Sequence, residues 1–254
     1  MAITLYGIHP VLEALKKRPR AFHRIILAKQ REEGSLREIA ARAETSSIRL
    51  QYDALANLTR LASSEQHQGV VAEVEPFPLA DCEMIIAGLI SRQEAVFFLV
   101  LDSIQDPHNF GALIRSAVCS GVQAVLFPKD RSAQLTGSVA KASAGAIEHT
   151  ALCRVVNIAA ALESLKKNNI WIVGTAPRSR QTIYEFDFNL NMALVIGSEG
   201  KGMRQLIEKK CDFPLSIPLE AGFDSLNASA AGAVVLFEAL RQRKYNRQAP
   251  SAGR

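Results

Sequence analysis

The sequence predicts an open, parallel-sheet α/β domain preceded by a smaller α/β unit, and three observations carry that prediction. From Val96 onward, apolar strand-like runs alternate with helical patterns. The first run, VFFLVLD at 96–102, is apolar until its last residue, as in a strand covered on both faces of a parallel sheet. Pro76 and Pro78, close together in PFPLAD, separate this rhythm from an earlier helix and strand series.

Taken in order, PVLEALKK (10–17) reads as a helix with Pro10 at or near its first turn. RIILA (24–28) reads as a strand. SLREIAARAE (35–44) is helical, with Ser35 as N-cap and Glu38 completing a capping box. GVVAEVE (69–75) alternates as a strand does, and a helix is expected over 83–91. In the second part, strands are expected at QAVLFP, TALCRV, IWIVGT, ALVIGS and FPLSIP. Helices are expected near 111–120, 138–144, 158–168, 203–210 and 227–243. The last of these carries small residues early, which would allow close approach to another backbone. The expected organisation is 1–76 as the first domain, 77–95 as linker and helix, 96–244 as the second domain, and 245–254 as a basic flexible tail.

Of the 254 residues, 48% are hydrophobic and 22% charged, the profile of a globular domain protein. No apolar run approaches the ~20 residues of a membrane helix, and the N-terminus lacks a signal peptide's pattern, so a cytoplasmic protein is expected. The four cysteines are scattered without a C-x-x-C pair, so neither a metal nor a disulfide is expected, and they read as small buried apolar residues. Charge is uneven. Leu15 to Arg31 holds seven basic residues and no acid, and the stretch from Ala239 holds five and no acid. Such patches suit a polyanion, and equally a solvated face or a loose tail.

In parallel α/β sheets, ligands bind beyond the carboxyl ends of strands. Three polar or glycine-rich stretches fall there: 102–110, GSEGKG at 197–202, and 220–229. The spacing of GSEGKG is not that of a dinucleotide fingerprint, and no P-loop, G-x-S-x-G elbow or H-E-x-x-H helix occurs. Dehydrogenase, NTPase, serine-hydrolase and zinc-protease readings lose their footing accordingly. His108 and His149, taken singly, read as surface or structural groups. Asn109 and Arg115 sit six residues apart at a helix start. Alone, they read equally as an N-cap with an exposed helix arginine or as a grip on a ribose and its phosphate.

Together the three stretches resemble the three motifs of the SpoU (TrmH-like) RNA 2′-O-methyltransferase family. DPHNFGALIRSA is similar to the first, LVIGSEGKGM to the second and SIPLEAGFDSLNASAAGAVVLFEAL to the third. YGIHPVLEAL and HQGVVAEV resemble the family's substrate-binding domain. FPKDRSAQL and NIWIVGTA resemble the members that methylate a guanosine ribose in the peptidyl-transferase P loop of 23S rRNA. Departures are Ala228 where the family usually has Val, and Phe223 with Asp224 in the third motif's loop.

The resemblance implies a second domain with a deep trefoil knot, an L30e-like first domain, a homodimer formed through the knotted domain, and S-adenosylmethionine as cofactor. It implies Asn109, Arg115, Glu199, Ser225 and Asn227 as catalytic residues. Thr175, Gly197, Ile217, Leu219 and Leu226 match positions around the cofactor, and Lys129 and Arg131 are candidates for rRNA phosphates. Because an arginine stays protonated near neutrality, Arg115 suits phosphate binding and alkoxide stabilisation better than base catalysis. Competing readings are a tRNA ribose methyltransferase and a non-catalytic RNA-binding ribosome-assembly factor.

Overall fold

A computed structural model describes residues 2–29, 34–200, 202–220 and 225–245. The chain forms two compact units: residues 1–78 with 133–149, and residues 79–132 with 150–254.

The first unit is built on β1 (Ile3–Tyr6), α1 (Ile8–Lys17), β2 (Phe22–Ala28), α2 (Gly34–Thr45), β3 (Leu50–Asp53), α3 (Leu55–Ala62) and β4 (Val70–Val74). Its sheet order is β1-β4-β2-β3, with β4 antiparallel to both neighbours and β3 parallel to β2. Tyr6, Ile26, Leu58 and Val71 pack together in its core. Three elements are absent from the sequence reading: β1, β3 and α3. Both strands are four residues long, too short to display a period. The expected cap at Ser35 is a correction. The helix already includes Gly34, so Ser35 lies inside its first turn. Glu38 instead accepts from Arg42 Nε at 2.9 Å, one turn on.

The second unit opens with α4 (Cys82–Ser91), capped by Asp81, whose carboxylate accepts from Glu83 N at 2.8 Å. Then follow β5 (Phe97–Asp102), α5 (Pro107–Ser120) and β6 (Ala124–Pro128). The next stretch, including α6 (Gly137–Ala142), belongs to the first unit, whereas the sequence reading ran 96–244 as one body. A Cβ on Gly137 would lie 2.0 Å from the Thr4 carbonyl oxygen, so only glycine lets α6 approach β1. Arg18 then grips Glu148 through Nε at 2.7 Å and Nη2 at 3.0 Å. His149 meets Glu13 at 2.6 Å, a structural role as expected.

The chain returns with β7 (Ala151–Val155), α7 (Ile158–Lys167), β8 (Trp171–Thr175), β9 (Met192–Gly197), α8 (Gln205–Glu208), β10 (Phe213–Leu215) and α9 (Ala228–Leu240). All pairings are parallel, in the order β10-β8-β9-β5-β6-β7. Every residue of β5 and β9 is buried, which is why both read as uninterrupted apolar runs. The strand succession runs outward from β5 to β7, then jumps across to β8. The space beyond the ends of β5 and β9 is therefore the switch point.

Several expectations need correction here. α5 begins at Pro107, not near 111, because Asp106 caps it. The helix expected over 203–210 shrinks to four residues, since the Arg204 N–H donates to Asp102 instead of entering a helical ladder. The close approach of α9 is to a side chain: a Cβ on Gly232 would lie 2.2 Å from Leu113 Cδ2. After Leu240 the helix widens into one π turn, Arg241–Tyr245. There Arg243, read as part of a basic tail, is half-buried over the Phe97 ring and donates to the carbonyls of Phe188, Leu190 and Val96. Burial lowers its pKa to about 10. Of the four cysteines, Cys153 is buried, Cys82 and Cys211 are half-buried, and Cys119 is exposed, against the expectation for that residue. Phe223, Asp224 and the tail beyond Tyr245 lie outside the described residues. No helix among the described residues is long and apolar enough to cross a membrane.

Candidate active site

Two cavities open beyond the carboxyl ends of the central strands. The first, about 190 Å³, is lined by the end of β8, the end of β9, the extended stretch after β10 and the start of α9. All five residues expected around a cofactor, Thr175, Gly197, Ile217, Leu219 and Leu226, line it, as do Glu199 and Ser225. Its walls are mostly aliphatic. The backbone N–H groups of Ile217 and Leu219 donate to no other backbone group among the described residues, leaving polar atoms along an apolar wall.

Gly197 explains the tightness of this end. A Cβ there would fall 2.1 Å from both Gly202 C and Met203 N. The chain leaves β9, turns through Gly200 (φ 74°) and Gly202 (φ 65°), and pairs back on itself. Ser198 N donates to Gly202 O at 3.0 Å and Gly202 N to Ser198 O at 2.8 Å.

The second cavity, about 640 Å³, adjoins the first and is polar. Asp106, Asn109, Arg131, Glu199, Arg204 and Gln205 are among the residues lining it. Glu199 borders both cavities, and its carboxylate ties the motifs together. Asn109 Nδ2 donates to Glu199 Oε2 at 3.2 Å, and Asn227 Nδ2 donates to Oε1 at 3.3 Å. Each asparagine is itself anchored at a helix start. Asp106 caps α5 by accepting from His108 N at 3.3 Å and Asn109 N at 2.9 Å, with Pro107 in the first turn. The N-cap of α5 is thus Asp106, not Asn109. Asn227 caps α9, its Oδ1 accepting from Ser229 N, Ser229 Oγ and Ala230 N.

Three of the five expected catalytic residues, Asn109, Glu199 and Ser225, line the two cavities, and Asn227 joins them through its hydrogen bond to Glu199. Arg115 does not. It is exposed on α5 and lines neither cavity, because six residues carry it about 120° round the helix and about 9 Å along it from Asn109. Within one chain, Asn109 and Arg115 therefore do not meet at these cavities. Lys129 also lines neither cavity, whereas Arg131 lines the second.

Sequence reasoning passed over Asp102 and Arg204. Asp102 is fully buried at the end of β5 and accepts from Arg204 N at 2.8 Å and from Arg204 Nε at 2.7 Å. A signal was available: an acid closing an otherwise apolar strand requires a partner.

Residues 96–237 match the SpoU rRNA Methylase family, and residues 4–80 match the RNA 2′-O ribose methyltransferase substrate binding family. The chain is 40% identical over 243 residues to 23S rRNA (guanosine-2′-O-)-methyltransferase RlmB of Salmonella typhimurium, covering 96% of this chain and 100% of the relative. It stands at the same identity and coverage to RlmB of Escherichia coli K12. Its fold matches the SpoU methyltransferase AviRb from Streptomyces viridochromogenes in complex with the cofactor AdoMet. The TM-score is 0.78 at 23% identity, over 95% of this chain and 90% of that one.

Proposed function

Because this chain belongs to the SpoU rRNA methylase family, we propose that it transfers a methyl group from S-adenosylmethionine to the 2′-hydroxyl of a guanosine in 23S rRNA, in the peptidyl-transferase P loop. The observation that carries the reading is the Glu199 bridge, which holds Asn109 and Asn227 together on the rim between an aliphatic cavity and a polar one.

The first cavity suits the cofactor chemically. Aliphatic walls from Ile217, Leu219 and Leu226 match an adenosine ring, and the free N–H groups of Ile217 and Leu219 match its polar edge. Bound there, S-adenosylmethionine would supply a methyl group already activated on a sulfonium. The chain's own residues then have two tasks, to hold the ribose near attack distance and to ease loss of its proton. Asn109 Nδ2 is committed to Glu199, so its Oδ1 is free to accept from the 2′-hydroxyl. Glu199 and Asn227 position that amide. Ser225, exposed at the mouth of the first cavity, suits contact with the ribose edge.

Arg115 enters through a second copy of the chain. We assign a homodimer through the face that α5 and α9 share, where Val234 and Phe237 are exposed large apolar side chains. Arg115 is exposed on α5, and in this reading pairing carries it toward the other copy's site, where it would bind phosphate or the developing alkoxide. The reading includes a deep trefoil knot in the second unit and an L30e-like RNA-binding fold for the first, and it is membership of the family that supports both.

The test is methyl transfer from labelled S-adenosylmethionine to 23S rRNA from cells lacking this protein, with the modified ribose mapped. Label on a P-loop guanosine, lost in Asn109→Ala, is expected. Cofactor binding without label on 23S rRNA would move the substrate to tRNA or a ribosomal precursor. Absence of binding and label would favour a non-catalytic RNA-binding factor.

A further inference from the structure

The second cavity carries a charge arrangement that the proposed chemistry does not use. Four charged side chains face it among the described residues: Asp106, Glu199, Arg131 and Arg204. Both acids are occupied, Asp106 by two backbone N–H groups of α5 and Glu199 by two asparagine amides. The cations are what remains available to a ligand. Arg131 stands on the loop after β6 in a left-handed backbone conformation, φ 59°.

Arg204 is the more telling of the two. Asp102 is 0% exposed, while the Arg204 side chain keeps 42% exposure. Were Arg204 present only to neutralise that buried acid, a two-pronged pair through the guanidinium would be the expected geometry. Asp102 instead divides its oxygens. Oδ2 takes the backbone N–H of Arg204 and Oδ1 takes Nε. The near edge of the guanidinium is thereby locked, and its two Nη groups donate to nothing among the described residues. The pair is neutral as a unit, Arg131 adds one positive charge, and the cavity is large enough for a nucleotide.

We propose that Arg204 is a positioning residue for RNA. Its free Nη fork takes the oxygens of a phosphodiester adjacent to the target ribose, Arg131 faces the same phosphate from the opposing loop, and Asp102 holds the fork in place. The ribose beside that phosphate then lies at Asn109 and Glu199. This rests on the proposed function, and it names a contact outside the three motifs' asparagines, serine and glutamate.

The experiment compares the full-length wild type with Arg204→Gln, Arg204→Lys and Arg131→Gln on 23S rRNA from cells lacking this protein. Methyl transfer, the salt dependence of RNA binding, S-adenosylmethionine binding and thermal melting are measured for each. Arg204→Gln should lower kcat/KM about 10–100-fold. It should also reduce the slope of log affinity against log salt by about 0.7–0.9, one phosphate contact, with cofactor binding unchanged. Arg204→Lys should keep the slope yet lose about tenfold in kcat/KM, since an ammonium cannot hold Asp102 and present a fork together. Arg131→Gln should lower the slope likewise. The proposal is overturned by an Arg204→Gln enzyme within threefold of wild type, or by lost activity with an unchanged salt slope, which marks a purely structural role. If Arg204→Gln does not fold, the lysine variant decides. A wild type that leaves 23S rRNA unmethylated refutes the proposed function, and the salt slopes on the same RNA still decide the phosphate contact.

Discussion

Replacing Glu199 by Gln tests the bridge between the two asparagines with almost no change of shape. A carboxylate accepts from both neighbours, at 3.2 Å from Asn109 and 3.3 Å from Asn227. A glutamine amide can accept from only one of them, so one asparagine must turn. Asn227 is held by three donors to its Oδ1, at 2.9, 2.6 and 3.3 Å, and turning it would forfeit the cap of α9, about 1 kcal/mol or more. Asn109 Oδ1 accepts from nothing among the described residues, so Asn109 turns. Its outward end then presents an NH₂ donor where an acceptor stood. Fold stability should change by no more than about 1 kcal/mol, since the group is exposed and its bonds are long. Orientation of the ribose hydroxyl is lost, and single-turnover methyl transfer should fall about 100-fold, roughly 2.7 kcal/mol of barrier. S-adenosylmethionine titration and calorimetry on the same preparation separate the two effects. A Glu199→Gln enzyme within threefold of wild type would show that the amide's polarity at Asn109 is irrelevant and would refute the reasoning.

Three further outcomes are expected. Gly197→Ala must displace the turn at Gly202 and Met203, because its Cβ would sit 2.1 Å from their backbone; a loss of about 1–3 kcal/mol in unfolding free energy should accompany weaker S-adenosylmethionine binding, read by calorimetry. Arg243→Met strips the carbonyls of Phe188, Leu190 and Val96 of their donor and should cost about 3 kcal/mol of stability while the cofactor affinity of the folded protein stays within twofold. Hydrogen bonding from Arg24 holds the Glu73 carboxyl below its ordinary value of 4.5. The pair therefore stabilises the first unit above about pH 4.5 and loses that contribution as pH falls through the lowered folded value. Glu73→Gln should flatten this acid limb in pH-dependent melting and leave the neutral limb's shape unaltered.

The parts of this protein that were legible in its sequence are those where each residue answers to its immediate chain neighbours or to uniform burial. β5 and β9 announced themselves because all their positions are covered. The cavity-lining glycine and aliphatic residues were found because the family's motifs are contiguous in sequence. What stayed hidden depends on distant partners. Arg243 looked like a member of a solvated basic stretch, yet it answers carbonyls from 53 to 147 residues earlier. Asp102 and Arg204 are 102 residues apart, and neither belongs to a repeat or a period. Arg115 was read with Asn109 because they are neighbours in sequence, and helical geometry parts them. The stretch 133–149 matched the rhythm of the second unit while its glycine at 137 was shaped to Thr4.

That excursion bears on how the molecule is made. A ribosome delivers the first 78 residues long before it delivers Gly137, Glu148 and His149, which complete the same unit. Until then Arg18 lacks the carboxylate of Glu148, Glu13 lacks His149, and the flank of β1 stays open to whatever the nascent chain meets. The usual order, in which an N-terminal unit closes before the next begins, cannot hold here. Maturation of the first unit waits for the two helices and two strands that start the second, α4, β5, α5 and β6, so excision at residue 80 would yield a piece missing its own last helix. Fragment studies of the first unit therefore need residues 133–149 supplied by a linker or as a separate peptide.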